Sequence, residues 1–196
     1  QKELHGESCY PLDEMPGIRK SISVSHSFKT PVISFDDLSQ AISLFISRGA
    51  VKLRKQNSFA ETMTVYVMTS RFKSESFYYN SKTQMLSTAI NTTPELIKQG
   101  KVILEQIFQK DKQYKKAGVV FSKLANGHVQ QDLFDTTDKT RTRKLMRAID
   151  KINTKMGRHC TKYAAVGVSK KQSWKTALNY CSPAYTTDWN QILSVS

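Results

Sequence analysis

Lys20-Ser21-Ile22-Ser23-Val24-Ser25-His26-Ser27-Phe28 is the stretch whose reading decides the fold. Ile22, Val24 and Phe28 alternate with Ser21, Ser23, Ser25 and Ser27. A period of two marks a strand with one face buried and one in water. The buried face is apolar and the other is all serine. Such a strand needs a sheet covered on one side only.

Working outward, the chain supplies that cover. Ser34 can cap a helix whose first turn holds Asp36 and Asp37, acids placed at the positive end of the helix dipole. Leu38, Ala41, Ile42 and Phe45 recur at helical spacing, and the helix is predicted to run to about Lys55. Phe59–Phe72 alternates again, with Met63, Val65 and Val67 set against Thr62, Thr64, Tyr66 and Met68. Its β-branched and aromatic content makes it a second strand. Tyr78 to Ile90 reads as a loop and a third strand. Thr93-Pro94-Glu95 starts a second helix, with Leu96, Gly100, Ile103 and Ile107 as its buried stripe. Tyr114–Ser122 is a fourth strand, alternating Ala117, Val119 and Phe121 with Lys116, Gly118 and Val120.

The order is therefore β-α-β-β-α-β over roughly 100 residues. The predicted class is α+β: a four-stranded antiparallel sheet with two helices on one face and a small basic α/β tail behind it. Residues 1–19 read as a lead-in, 20–125 as the sheet domain, 126–139 as a linker and 140–196 as the tail. In the tail a helix is predicted over about 140–156. Leu145, Ile149, Ile152 and Met156 lie on one side of it, and Lys144, Arg147, Lys151 and Lys155 on the other. The apolar side needs a partner, from residues 160–196 or from another protein. Tyr163–Val168 reads as a short strand.

Charge sharpens the functional question. The 196 residues carry 30 Lys and Arg against 16 Asp and Glu, a formal net charge of +14. Segment 139–175 alone holds twelve basic residues and one acid, Asp150, which makes +11 of that total. So concentrated a block points to a polyanion, with nucleic acid first and an acidic protein face second; a merely solvated helix face is the bland alternative. No apolar run reaches the roughly 18 residues of a membrane span, so no membrane partner is expected. Cys9, Cys160 and Cys181 are odd in number and widely spaced. That argues against a disulfide framework or a cysteine-rich zinc site and fits a reducing cytoplasm.

Catalysis finds little support. Two-metal phosphoryl transfer needs converging carboxylates. The one adjacent acidic pair with strong local context, Asp36-Asp37, is explained by its helix terminus. No P-loop, GxSxG or HExxH pattern occurs. No catalytic residue and no metal ligand is therefore assigned. Binding fares better. The open sheet face should present Ser21, Ser23, Ser25, Ser27, Thr64, Tyr66 and Lys116, with Lys20, Lys29, Arg71, Lys73 and Lys115 as flanking cations. Hydroxyls and strand amides can hold phosphate oxygens without reading bases. Base stacking of the RNA-recognition type is disfavoured, because the first strand's open face is serine. Gln130-Gln131-Asp132-Leu133-Phe134 follows the last strand in a segment without periodicity. Leu133 and Phe134 suit a pocket on another protein, with Gln130 and Asp132 beside them, or fold back onto the domain.

Together these residues resemble the C-terminal part of a Y-family translesion DNA polymerase of the UmuC type. Residues 20–28 look like the opening strand of that family's little-finger domain. Gln130–Phe134 resembles its sliding-clamp-binding pentapeptide, departing at Gln131, where leucine is common. Ser182-Pro183-Ala184-Tyr185-Thr186-Thr187, followed by Trp189, resembles the UmuC-type terminal signature. Gln1–Gly6 is similar to the end of the thumb. The resemblance implies a grip on primer-template DNA, a sliding clamp bound through Gln130, Asp132, Leu133 and Phe134, and a UmuD′-like subunit and RecA as partners of the tail. It also implies a bacterial, nucleoid-associated, cytoplasmic setting and a role in SOS repair and mutagenesis. The palm, with its Mg2+-binding carboxylates, would precede Gln1, so no cofactor is expected in this segment. Helix 140–156 is the candidate for partner docking or for extra DNA contact. Two other readings stand beside this one. One is a non-catalytic module or decoy that occupies clamps or accessory subunits. The other is a basic RNA-associated protein.

Overall fold

The computed structural model describes residues 2–9, 17–72, 77–127, 139–157, 160–168, 172, 174–175 and 181–192. Strand β1 (Ile22–Val32) leads into α1 (Phe35–Lys55), β2 (Ser58–Thr69), β3 (Tyr79–Ile90), α2 (Thr93–Ile107) and β4 (Tyr114–Asn126); α3 (Lys139–Lys155) opens the tail. The β-α-β-β-α-β order is as read from the periodicities. All pairings are antiparallel and the sheet order is β1-β4-β2-β3, so β1 and β3 are the edges.

The helices start where their caps put them. Ser34 Oγ accepts the amide of Asp37, 3.5 Å away, and Pro94 sits in the first turn of α2. That helix begins one residue earlier than predicted, with Thr92 at the cap and its hydroxyl bonded to Glu95. Ile22, Val24 and Phe28 of β1, Met63, Val65 and Val67 of β2, and Ala117, Val119 and Phe121 of β4 form one sheet face, all buried. They pack on Leu38, Ile42 and Phe45 of α1 and on Leu96, Ile103 and Ile107 of α2. Burying a large apolar side chain is worth about 1.5–3 kcal/mol, which makes this layer the main source of stability.

Two expectations need correction. Residues 79–90 are strand throughout, not loop and strand. As an edge strand β3 leaves Ser81, Lys82, Thr83, Met85 and Ser87 exposed and buries Leu86 alone, so hydropathy hid it. Tyr163–Val168 is not a strand. Ala164–Val166 forms one 3-10 turn, and Gly167 has φ +84°, a left-handed value that ends it. The described part of the tail therefore holds helix and turns rather than an α/β unit. On α3 the apolar side predicted to need a partner stays largely uncovered. Met146 is the helix's buried contact, while Leu145, Ile152 and Met156 are exposed.

The tail packs on the outer side of α1. Val166 and Trp174 are buried in the same core as the sheet residues. Gln172 Nε2 donates to the carbonyl of Val166 at 2.8 Å and to Gln40 Oε1 on α1 at 3.3 Å. Such cover explains why α1 is buried nearly all round, including Ser43, whose hydroxyl donates back to the Ser39 carbonyl at 2.7 Å.

Candidate nucleic-acid interface

Strand register assembles the open face row by row. Ser23, Val120, Thr64 and Thr83 lie across from one another on successive strands. The next row is Ser25, Gly118, Tyr66 and Ser81, and the third is Ser27, Lys116, Met68 and Tyr79. The predicted hydroxyls of Ser23, Ser25, Ser27, Thr64 and Tyr66 therefore share one surface, while Ser21 is exposed just ahead of β1. Thr64 and Thr83 hydroxyls are bonded at 2.7 Å. Tyr66 and Tyr79 have ring centroids 6.3 Å apart.

Gly118 determines how Tyr66 lies. A Cβ built there would stand 2.5 Å from Tyr66 Cζ and 2.6 Å from Ser25 Cβ. Glycine lets the phenol ring lie flat over β4 toward β1, the close approach that strand glycines commonly serve. Tyr79, Thr83 and Met85 were missed in the sequence. The alternation Tyr79, Ser81, Thr83, Met85 was the available signal.

The predicted cations divide by position. The end of β1, the start of β4 and the end of β2 meet at the Val32–Tyr114–Thr69 register. Lys29, Lys115 and Lys116 stand toward that end of the sheet, Arg71 follows β2 by two residues, and Lys20 precedes β1 at the opposite end. Lys115 is committed: its Nζ donates to the Lys29 carbonyl at 2.8 Å, tying β4 to the irregular end of β1. Lys73 and the whole Gln130–Phe134 peptide, with Gln130, Asp132, Leu133 and Phe134, lie outside the described residues. Among the described residues no group of three or more His, Cys, Asp or Glu is placed to hold a metal.

On the far side of the molecule a polar cluster fastens the tail. Arg54 of α1 makes two bonds to Asp150 of α3, Nε to Oδ2 at 2.6 Å and Nη2 to Oδ1 at 2.8 Å. Its Nη1 donates to the Asn91 carbonyl at 2.7 Å and to Thr93 Oγ1 at 3.0 Å. Tyr163 stands beside the pair, its hydroxyl 3.3 Å from Met146 Sδ. Burial pushes the Tyr163 phenol above its ordinary range, against the opposing pull of a hydrogen bond with Thr93 and the charge of Arg54. Further along, Arg143 lies over the Phe59 ring, 5.6 Å from its centroid. Lys144, Arg147, Lys151 and Lys155 all remain exposed on α3.

Comparison with known proteins gives this architecture its relatives. Residues 19–133 match the impB/mucB/samB family C-terminal domain. The chain belongs to that family. Residues 143–195 match a second model, described as a domain of unknown function (DUF4113). MucB of Salmonella typhimurium is 32% identical over 193 residues, which cover 97% of this chain and 45% of MucB. UmuC of Salmonella typhimurium is 31% identical over 197 residues, 99% of this chain and 46% of UmuC. The chain thus spans a little under half the length of these relatives, and the UmuC-type resemblance read from the motifs holds. Among solved structures, the insertion ternary complex of Dbh DNA polymerase overlaps 64% of this chain and 34% of its own, at 13% identity and a TM-score of 0.46. A complex of the beta-clamp processivity factor and the little finger domain of PolIV overlaps 58% and 97%, at 8% identity and a TM-score of 0.40.

Proposed function

We propose that this family member is the DNA-gripping and clamp-tethering portion of an error-prone translesion DNA polymerase, working in the SOS response in the bacterial cytoplasm. The observation that carries the reading is the open face. It presents three rows of hydroxyls, aromatic rings and Lys116 on a sheet whose other face is fully used by the core. Hydroxyls and cations of this kind contact phosphates and leave the bases unread, as a polymerase indifferent to sequence requires. Catalysis, with Mg2+, belongs to the palm of the full polymerase. The exposed row Lys144, Arg147, Lys151 and Lys155 is the docking surface for a UmuD′-like subunit and RecA, or an added DNA contact.

A salt titration of primer-template binding tests the grip. Each neutralised phosphate of duplex DNA contributes a slope of about 0.9 in log K against log salt. Four cations, Lys20, Lys29, Arg71 and Lys116, give a slope near −3.6 and a loss of roughly 100-fold from 50 to 200 mM salt. Affinity that stays flat over that range sinks the proposal. Lys29→Ala with Lys116→Ala should flatten the slope by about 2.

The tether is tested separately. Leu133→Ala with Phe134→Ala removes both apolar anchors of the peptide, and hot-spot anchors cost at least about 2 kcal/mol each. Clamp binding, followed by surface plasmon resonance, should fall at least about a hundredfold while primer-template binding is unchanged. Clamp affinity that survives the double change removes Gln130–Phe134 from the reading. A working tether matters even when weak, because it raises the local concentration of the chain at a primer end.

A further inference from the structure

The open face is not the one basic surface of the molecule. Behind the edge strand β1, the outer side of α1 and the tail enclose a cleft of about 870 Å3. Its lining includes five Lys or Arg side chains, from α1 and the tail, and one acid, Asp150. That acid is paired with Arg54, so the cleft is strongly cationic.

We infer that this cleft is a second nucleic-acid site, one that takes a single-stranded segment. Three observations point there. Arg48, Lys52 and Lys55 are spaced by four and three residues and line the cleft in one row along α1. Such neighbours stand about 5–6 Å apart, forming a track for a linear polyanion. Lys162 faces the cleft from the tail. Next, the cleft has aromatic rings. His26 is exposed and stacked on Phe45 with centroids 6.2 Å apart; Tyr163 lines the opposite wall. A cationic groove with aromatic platforms is the pattern that binds single strands, because unstacked bases need a ring to lie on and paired bases do not. Third, Ser23 and Ser25 line the cleft and also stand in the open-face rows. A strand leaving the open face across the β1 edge enters the cleft. This last step rests on the open face being the DNA surface. An acidic peptide would satisfy the cations but gain nothing from His26.

The test is fluorescence anisotropy of the whole chain with two labelled probes, a 20-nucleotide oligothymidylate and a primer-template duplex. Lys52→Ala, Lys55→Ala and Lys162→Ala together should weaken oligothymidylate binding at least tenfold. They should lower its salt slope by about 2, at roughly 0.7 per cation for single strands, and leave duplex binding within twofold. His26→Ala should weaken oligothymidylate binding about fivefold or more with the salt slope unchanged, since stacking is not ionic. Oligothymidylate affinity that the triple variant leaves intact overturns the site. Equal losses for both probes also overturn it, because the lysines then act only as a diffuse field. Polyglutamate that displaces the oligonucleotide, with His26→Ala silent, assigns the cleft to an acidic protein instead. If Lys29→Ala with Lys116→Ala spares duplex binding while the cleft variants lose oligothymidylate, the open-face reading falls and the cleft stands.

Discussion

Replacing Arg54 with alanine should release the C-terminal helix from the sheet domain at a cost of about 3 kcal/mol. Arg54 is 11% exposed at its side chain and Asp150 23%. Removing one member of a buried ion pair typically costs 3–5 kcal/mol, because the other charge is left without compensation. The partial exposure of Asp150 places this pair at the low end. Arg54→Ala also takes the guanidinium from the Asn91 carbonyl and leaves the Thr93 hydroxyl with Tyr163 alone. Asp150→Ala should cost less, about 2 kcal/mol, since the guanidinium keeps those two partners. For a chain of this size 3 kcal/mol lowers Tm by roughly 6–12 °C. Hydrogen exchange should quicken in residues 139–168 while β2 and β4 stay protected. The double change Arg54→Met with Asp150→Leu should recover most of the loss, because a desolvated pair and an apolar pair of similar volume are nearly equivalent. Single variants that melt within 1 °C of the parent would reduce the bridge to a surface contact.

This pair also explains what periodicity concealed. Leu145, Ile149, Ile152 and Met156 make a regular apolar stripe, yet α3 is rotated so that Asp150 meets Arg54 of α1 and Met146 is the residue it buries. A bidentate bond to a buried arginine fixed the rotation, and hydropathy has no register for it. The sequence did hold a sign: Asp150 is the lone acid among twelve basic residues. Elsewhere legibility followed burial. β1, β2 and β4 alternate cleanly because the helices cover one of their faces. β3 packs little at its exposed edge, and its pattern dissolved. The open face was half legible for a related reason. Each strand's own hydroxyls could be read, but that β4 lies between β1 and β2 could not. Without that order, nothing in the sequence places Gly118 between Ser25 and Tyr66, or Tyr79 beside Tyr66.

Gly118 carries the other large expected effect, and two opposed terms set its sign. In a strand interior, alanine is favoured over glycine by roughly 0.5–1 kcal/mol of backbone entropy. Against this stands the space. The new Cβ would meet Tyr66 at 2.5 Å and Ser25 Cβ at 2.6 Å, and both must give. The phenol ring can swing into solvent at small cost. The Ser25 Cβ is fixed to its backbone, so β1 itself must move away from β4. Overpacking of this kind typically costs 1–3 kcal/mol. Gly118→Ala should therefore destabilise by about 1 kcal/mol net, and Gly118→Val by about 3 kcal/mol, as its two γ-methyls add bulk to a Cβ that is already crowded. Urea denaturation measures both. Adding Tyr66→Ala to Gly118→Ala should restore only part of the stability, since the ring is the yielding neighbour and Ser25 the rigid one. Full restoration would place the whole strain on the ring, and a Gly118→Ala chain more stable than the parent would show that the sheet has slack. The same substitution reaches the proposed function. With Tyr66 displaced and β1 shifted, the three rows lose their common surface, and primer-template affinity should fall several-fold at fixed salt. Its salt slope should stay the same, because none of the cations has been removed.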